Sequence, residues 1–184
     1  MKDTSILTGN GIRTGAQYIS GLQDDREVWT QGKRIKDVTS EPGMSRGISS
    51  LAGFLDKQHE KKYRDKVTYV DEDGIRCPLS FKTPKSKQDI LDRGKAYYEW
   101  ATWSHGMFGR TPDYKNASLM SFSAARSFLD KGTVGKADFS QNMLNFYNYA
   151  RTNDQILTHT LINPSVSHKQ AAAGIYNDTV ALHV

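Results

Sequence analysis

Apolar residues recur along this chain in short blocks, punctuated by glycine, proline and acidic turns. The first block follows Thr14, with Gln17 three residues on, the spacing of a helix capping box; Ile19 and Leu22 supply part of that helix's buried face. Val28-Trp29-Thr30, then Gln31-Gly32-Lys33, then 35–38 predict a small hairpin with glycine in the turn. After Pro42, Met44, Ile48, Leu51 and Leu55 fall at helical spacing and make one apolar stripe. Residues 67–70, the turn 71–74 and residues 75–81 predict a second β-pair. Thr83-Pro84 reads as a cap before a proline, opening a helix to about Trp103 with Ile90, Leu91, Tyr97, Tyr98 and Ala101 among its buried positions. A break at Gly106 and Gly109 follows. Thr111-Pro112 then starts a helix through Leu119, Phe122 and Phe128. Beyond a loop with Gly132 and Gly135, a helix over 139–153 turns Met143, Phe146, Tyr147 and Ala150 inward. From 156 the texture is β-prone, again at 179–184. The pattern predicts a mainly α chain with small β-hairpins: a loose polar arm over 1–12, a helical domain over 13–155, and over 156–184 the first strands of a β domain that a longer natural protein completes.

Composition narrows the class. The chain has 184 residues, 37% hydrophobic and 24% charged, which suits a globular protein able to bury a core. No apolar run approaches the roughly 18 residues of a membrane span, and the first ten residues have no apolar signal core. One cysteine, Cys77, rules out an internal disulfide and a multi-cysteine metal or iron–sulfur site within the chain; it is expected as a small, half-buried residue beside a turn. These features point to the cytoplasm. The net charge is +5, but Lys33-Arg34-Ile35-Lys36 and Lys61-Lys62-Tyr63-Arg64 are short patches among acids. They read as solvated faces rather than a nucleic-acid footprint.

Two stretches carry candidate chemistry. In Gly106-Met107-Phe108-Gly109-Arg110-Thr111-Pro112-Asp113-Tyr114, two glycines let the backbone approach a ligand. Arg110 stands just ahead of a helix start, where N–H groups and the dipole favour anions, and adds charge-assisted hydrogen bonding for a carboxylate or phenolate. Tyr114, one turn on, brings a hydroxyl to the same volume. The alternative is a helix–helix turn with Arg110 paired to a carboxylate and Tyr114 in the core. In Leu157-Thr158-His159-Thr160-Leu161-Ile162-Asn163-Pro164, His159 titrates near neutrality and suits hydrogen bonding to, or deprotonation of, a phenol; its alternative is a half-buried histidine satisfied by backbone. His59, His105, His168 and His183 form no metal-ligand pattern, and no nucleotide-binding glycine signature or nucleophile elbow is present.

Together these residues resemble the two-component flavin monooxygenases that hydroxylate 4-hydroxyphenylacetate and related phenols. The likeness runs from Arg13-Thr14-Gly15-Ala16-Gln17-Tyr18-Ile19 through Val67-Thr68-Tyr69, the Gly106–Tyr114 stretch and Phe146-Tyr147-Asn148-Tyr149-Ala150-Arg151 to Thr158-His159 and Asn163-Pro164. It implies the N-terminal helical domain of an acyl-CoA-dehydrogenase-like fold, the start of its middle β-barrel, and a parent that assembles as a tetramer. It implies reduced FAD delivered by a separate flavin reductase, O₂ captured as a flavin peroxide, and OH transfer to the ring carbon ortho to the phenol oxygen. Arg110 would stabilise the phenolate or the peroxide, Thr111 would border the phenol, Tyr114 would hydrogen-bond the reacting oxygens, and His159 would bind or deprotonate the phenol. His159, Thr160, Leu161, Asn163, Ser165 and His168 would border the flavin, although a more strongly basic residue is expected at His168. The family is much longer than this chain, so the chain by itself is expected to be inactive. Two other readings stand beside this one. A 4-hydroxybutyryl-CoA dehydratase-like enzyme needs cluster-ligating cysteines, and residues 95–110 have none. A non-catalytic helical module would keep the shape without the flavin chemistry.

Overall fold

A computed structural model of the chain describes residues 9–106, 112–131 and 137–157. Helix α1 (Gly15–Ser20) starts as the pattern predicts: the Thr14 hydroxyl accepts from the Gln17 N–H, and the Gln17 side chain accepts from the Thr14 N–H. Strands β1 (Val28–Thr30) and β2 (Lys33–Ile35) pair antiparallel, Val28 opposite Ile35. The turn is Gln31-Gly32 alone, both residues at positive φ, so β2 begins at Lys33, earlier than the expected 35–38.

Helix α2 (Ser45–Lys57) buries Ala52, Phe54 and Leu55. Of its expected stripe only Leu55 is fully buried; Met44, Ile48 and Leu51 are half-buried. A one-turn helix α3 (Arg64–Val67) takes Val67 out of the predicted strand. Strands β3 (Thr68–Val70) and β4 (Arg76–Pro78) then pair with Tyr69 opposite Cys77. Cys77 is fully buried rather than half-buried, because it points from β4 toward α6. A 3₁₀ turn, Leu79–Phe81, follows where strand had been expected.

Helix α4 (Lys87–Trp103) is capped by Ser86, not Thr83: the Ser86 hydroxyl accepts from the Asp89 N–H at 3.2 Å, while the Asp89 carboxylate accepts from Lys82, Lys85 and Ser86. Its inward face also differs from expectation. Ala96 and Trp100 are buried, whereas Ile90, Leu91 and Tyr98 lie on the outside. Trp100 decides the rotation. Its ring meets Phe54 edge-on at 5.6 Å and Trp103 at 5.2 Å, and Tyr98 and Leu91, on roughly the opposite side of the helix from Trp100, are thereby turned outward.

Helix α5 (Pro112–Ala124) ends before Phe128, which falls in a 3₁₀ turn, Arg126–Lys131. Leu119 and Met120 are buried; Phe122 and Phe128 are exposed, since the apolar residues of α5 spread around its axis. Helix α6 (Phe139–Thr152), capped by Asp138, buries Tyr147 and Ala150 as predicted but leaves Phe146 half exposed. One core joins Phe81, Leu119, Met120, Tyr147 and Ala150; a second joins Val67, Leu79 and Ala96. Phe81 ties the pieces together, because its carbonyl also accepts the Tyr147 hydroxyl at 2.6 Å. Among the described residues no helix is long and apolar enough to cross a membrane.

The N-terminal segment leans on both ends of this core. Within the 1–12 arm, residues 9–12 make backbone bonds: Gly11 donates to the Thr152 carbonyl at 2.7 Å and Ile12 to the Arg76 carbonyl at 2.9 Å. Gly11 has φ +91°, and a Cβ there would stand 2.3 Å from the Arg76 oxygen. Gly15 brings α1 onto α2 so closely that a Cβ would lie 2.5 Å from the Ala52 oxygen.

Candidate functional site

Of the residues singled out by the sequence, Tyr114 alone falls among the described ones. Arg110, Thr111, His159, Thr160, Leu161, Asn163, Ser165 and His168 lie outside them, and their grouping with Tyr114 rests on the sequence. In sequence, Arg110 and Thr111 stand between helices α4 and α5. Helix α4 closes with Ser104 donating to the Ala101 carbonyl; His105 and Gly106 then take φ of 50° and 72° and turn the chain sharply. Pro112 is the first described residue of α5, consistent with proline's place in the first turn of a helix. Tyr114, in the first turn of α5, is 51% exposed, with Lys115 Nζ 4.9 Å from its ring centre. Among the described residues it does not enter the core. The opposite side of α5 is fixed: buried Asn116 donates to the Ser80 hydroxyl at 3.0 Å, and Leu119 and Met120 enter the core.

A polar centre that sequence reasoning gave no role lies where α6 meets the second hairpin. Arg151 forms an ion pair with Asp71 through side chains 12% and 8% exposed, and its NH1 lies 3.5 Å from the Tyr69 hydroxyl and 3.6 Å from Cys77 Sγ. Asp71 also accepts the Ile75 and Asp73 N–H groups, closing the hairpin turn. Burial pushes the Asp71 carboxyl up, but the Arg151 hydrogen bond and charge outweigh it and hold it below the usual carboxylate range. Burial raises the Tyr69 phenol above its ordinary value and pushes the Cys77 thiol up to about 12. Both stay protonated at neutral pH, so this centre offers no nucleophile. The only sequence hint was a cation in the last turn of a helix, where the dipole favours it.

Beside this centre, Tyr69, Tyr147, Thr83 and Arg151 line an open cleft of about 470 Å³. Its charged lining holds four acids, Asp71, Glu72, Asp73 and Asp89, against three bases, Lys82, Lys85 and Arg151. All three bases are already paired, Lys82 to Asp89, Lys85 to Glu72 and Arg151 to Asp71. Such a surface does not suit a dinucleotide with two phosphates. Among the described residues no group of His, Cys, Asp or Glu could hold a metal ion.

A second unforeseen cluster closes the end of α6. The Asp154 carboxylate, 4% exposed, accepts the Arg13 N–H at 3.0 Å and the Gln58 amide at 2.8 Å, while its carbonyl accepts the Arg13 guanidinium at 3.1 and 2.8 Å. Burial raises the Asp154 carboxyl against these hydrogen bonds.

Comparison with known proteins assigns this architecture. The family model described as 4-hydroxyphenylacetate 3-hydroxylase N terminal matches residues 14–184. The chain belongs to this family. The oxygenase component of 4-hydroxyphenylacetate 3-monooxygenase from Thermus thermophilus is 37% identical over 163 residues, 88% of this chain and 32% of that protein. The corresponding component from Geobacillus sp. is 33% identical over 177 residues, 94% of this chain and 34% of that protein. The chain thus spans about a third of the length of the curated relatives it matches. A crystal structure of such an oxygenase component, complexed with FAD and 4-hydroxyphenylacetate, superposes with a TM-score of 0.77 at 37% identity, over 88% of this chain and 33% of that one. The acyl-CoA-dehydrogenase-like architecture expected for this N-terminal region is therefore the one found. A 4-hydroxybutyryl-CoA dehydratase from N. maritimus shares the fold at a TM-score of 0.64 and 16% identity. That likeness concerns the fold alone.

Proposed function

We propose that this chain is the N-terminal part of a flavin-dependent monooxygenase that hydroxylates 4-hydroxyphenylacetate, or a related phenol, ortho to its hydroxyl, with reduced FAD supplied by a separate reductase. The full-length parent is read as a homotetramer working in the cytoplasm. The observation that carries the reading is Tyr114. It sits in the first turn of a helix whose other face is locked into the core, directly after Arg110-Thr111-Pro112-Asp113, and half of its surface is open.

Reduced FAD, when bound, supplies the two electrons that divide O₂, so that one oxygen atom reaches the ring carbon and the other leaves as water. The donor set beyond Leu157 fits contacts to a flavin ring: the Thr160 and Ser165 hydroxyls, the Asn163 amide and the His168 imidazole, with Leu161 as an apolar wall. His159 takes the phenol proton on an imidazole nitrogen, leaving a phenolate that is a stronger carbon nucleophile at the ortho position. Arg110 holds the negative charge of that phenolate, aided by the N–H groups at the start of α5. Tyr114 donates its hydroxyl to the same oxygens, and Thr111 borders the ring.

The test uses the full-length protein with reduced FAD, O₂ and 4-hydroxyphenylacetate, and measures catechol product per FADH₂ oxidised. Arg110→Ala and His159→Ala are expected to lower that yield by ten-fold or more. Unchanged yield in both variants overturns the site assignment.

A further inference from the structure

Helix α6 ends in an arrangement that its own needs do not explain. The Gln155 N–H donates back to the Ala150 carbonyl at 2.9 Å, and the Asp154 N–H faces the Arg151 carbonyl at 3.4 Å. This is a Schellman closure with Asp154 at the left-handed position, φ +45°. Glycine is usual there because a side chain is strained in that conformation. Here the residue is an aspartate, its carboxylate is buried, and the donors that meet the carboxylate are neutral, a backbone N–H and a primary amide. Backbone strain and a desolvated carboxylate at one position are expensive, and they persist where the surroundings over-determine them.

The surroundings are three separate elements. The carboxylate joins Arg13, just ahead of α1, to Gln58, the residue that ends α2. The carbonyl holds the Arg13 guanidinium, and the Arg13 carbonyl lies 3.1 Å from His59 Nε2. Two residues earlier, Thr152 accepts from Gly9 and Gly11. Three residues later, Leu157 packs on the Phe81, Leu119, Met120, Tyr147 and Ala150 cluster. The path of the chain from Thr152 to Leu157 is therefore pinned at both ends and at its bend. His159 is two residues beyond Leu157.

We propose that Asp154 is a positioning residue for His159: by tying the bend after α6 to Arg13 and Gln58, it fixes the chain as far as Leu157, two residues before the imidazole that this reading gives to the phenol. The inference rests on the reading of His159 given above. Asp154 itself touches neither phenol nor flavin in this scheme. Its effect is on geometry, to which a proton transfer is steeply sensitive.

The experiment compares Asp154→Gly with Asp154→Asn in the full-length protein, and runs His159→Ala beside them. Glycine keeps the left-handed turn and deletes the carboxylate. Asparagine tolerates the same φ and keeps an acceptor oxygen for Arg13. Asp154→Gly is expected to raise KM for 4-hydroxyphenylacetate about ten-fold and to lower catechol per FADH₂ oxidised, with affinity for reduced FAD unchanged. Amide exchange at Arg13 should accelerate in the same variant, a readout independent of turnover. Asp154→Asn should recover KM to within about three-fold of the parent. A general loss of structure would instead weaken FAD binding and phenol binding together, and would not be rescued by asparagine; that result overturns the proposal. So does Asp154→Gly with parental KM and yield while His159→Ala is impaired. If His159→Ala keeps full yield, the role given to His159 falls first and this inference with it. Should Asp154→Gly not fold, Gln58→Met, which removes one donor to the carboxylate at similar volume, carries the same expectation with a smaller change.

Discussion

Two aspartates show how burial and partners decide what a carboxyl contributes. Asp71 meets a guanidinium; Asp154 meets neutral donors to its carboxylate. Arg151→Met leaves the Asp71 carboxylate without its cation and Tyr69 and Cys77 without their shared donor. Breaking a buried pair of this kind costs about 3–5 kcal/mol, to be measured as the shift in the urea unfolding midpoint at neutral pH. The pH dependences have opposite signs. Asp71 is depressed in the folded chain, so its contribution is complete above the unfolded value near ~3.9 and disappears as pH falls through the folded value. Arg151→Met should flatten that acid limb. Asp154 is raised. Between ~3.9 and its folded value the folded chain holds a proton that the unfolded chain has released, so stability falls as pH rises through that window. Asp154→Asn should make the fall shallower, read from unfolding midpoints between about pH 4 and 8.

At the level of elements, signals carried by neighbours in sequence were legible and those set by distant partners were not. The Thr14–Gln17 capping box, the Pro112 helix start and the inward Tyr147 and Ala150 follow from spacing alone. The face of α4 does not. Its rotation depends on Phe54 from α2, and Tyr97, Tyr98 and Ile90 compete with Trp100 in any local count. The site divides the same way. The Gly106–Tyr114 run and His159 stand out as short motifs. The Arg151–Asp71 pair and the Asp154 cluster join residues 80 to 141 apart, and no local pattern announces them. Close approach is likewise invisible in sequence until a glycine is mapped. Gly15→Ala would gain roughly 0.5–1 kcal/mol of helix propensity, but its Cβ would stand 2.5 Å from the Ala52 carbonyl oxygen. Overpacking against backbone costs about 1–3 kcal/mol, so a net loss of stability is expected in urea unfolding, with α1 moved off α2.

Across the described molecule, one aromatic cluster joins α2, α3 and α4. Phe54, Tyr63, Trp100 and Trp103 form a chain of ring contacts at 4.9 to 5.6 Å, with Lys57 over both Tyr63 and Trp103. Trp29 stands apart on the first hairpin, 61% exposed, whereas Trp100 is 5% exposed. Acrylamide should therefore quench the native fluorescence in two components, and Trp29→Phe should remove the accessible one. A single component in the parent chain would contradict this arrangement. The bond between Gly11 and Thr152 has a further consequence, in time rather than in space. It closes a loop through nearly all of the described chain, and an encounter between residues that distant bears a large loop-closure entropy. The first hairpin and the α5–α6 pair need no such encounter to form. Residues 9–13 are therefore expected to dock after the first hairpin and the α5–α6 pair have formed, and amide exchange at Gly11 and Ile12 should show weaker protection than in α5 and α6.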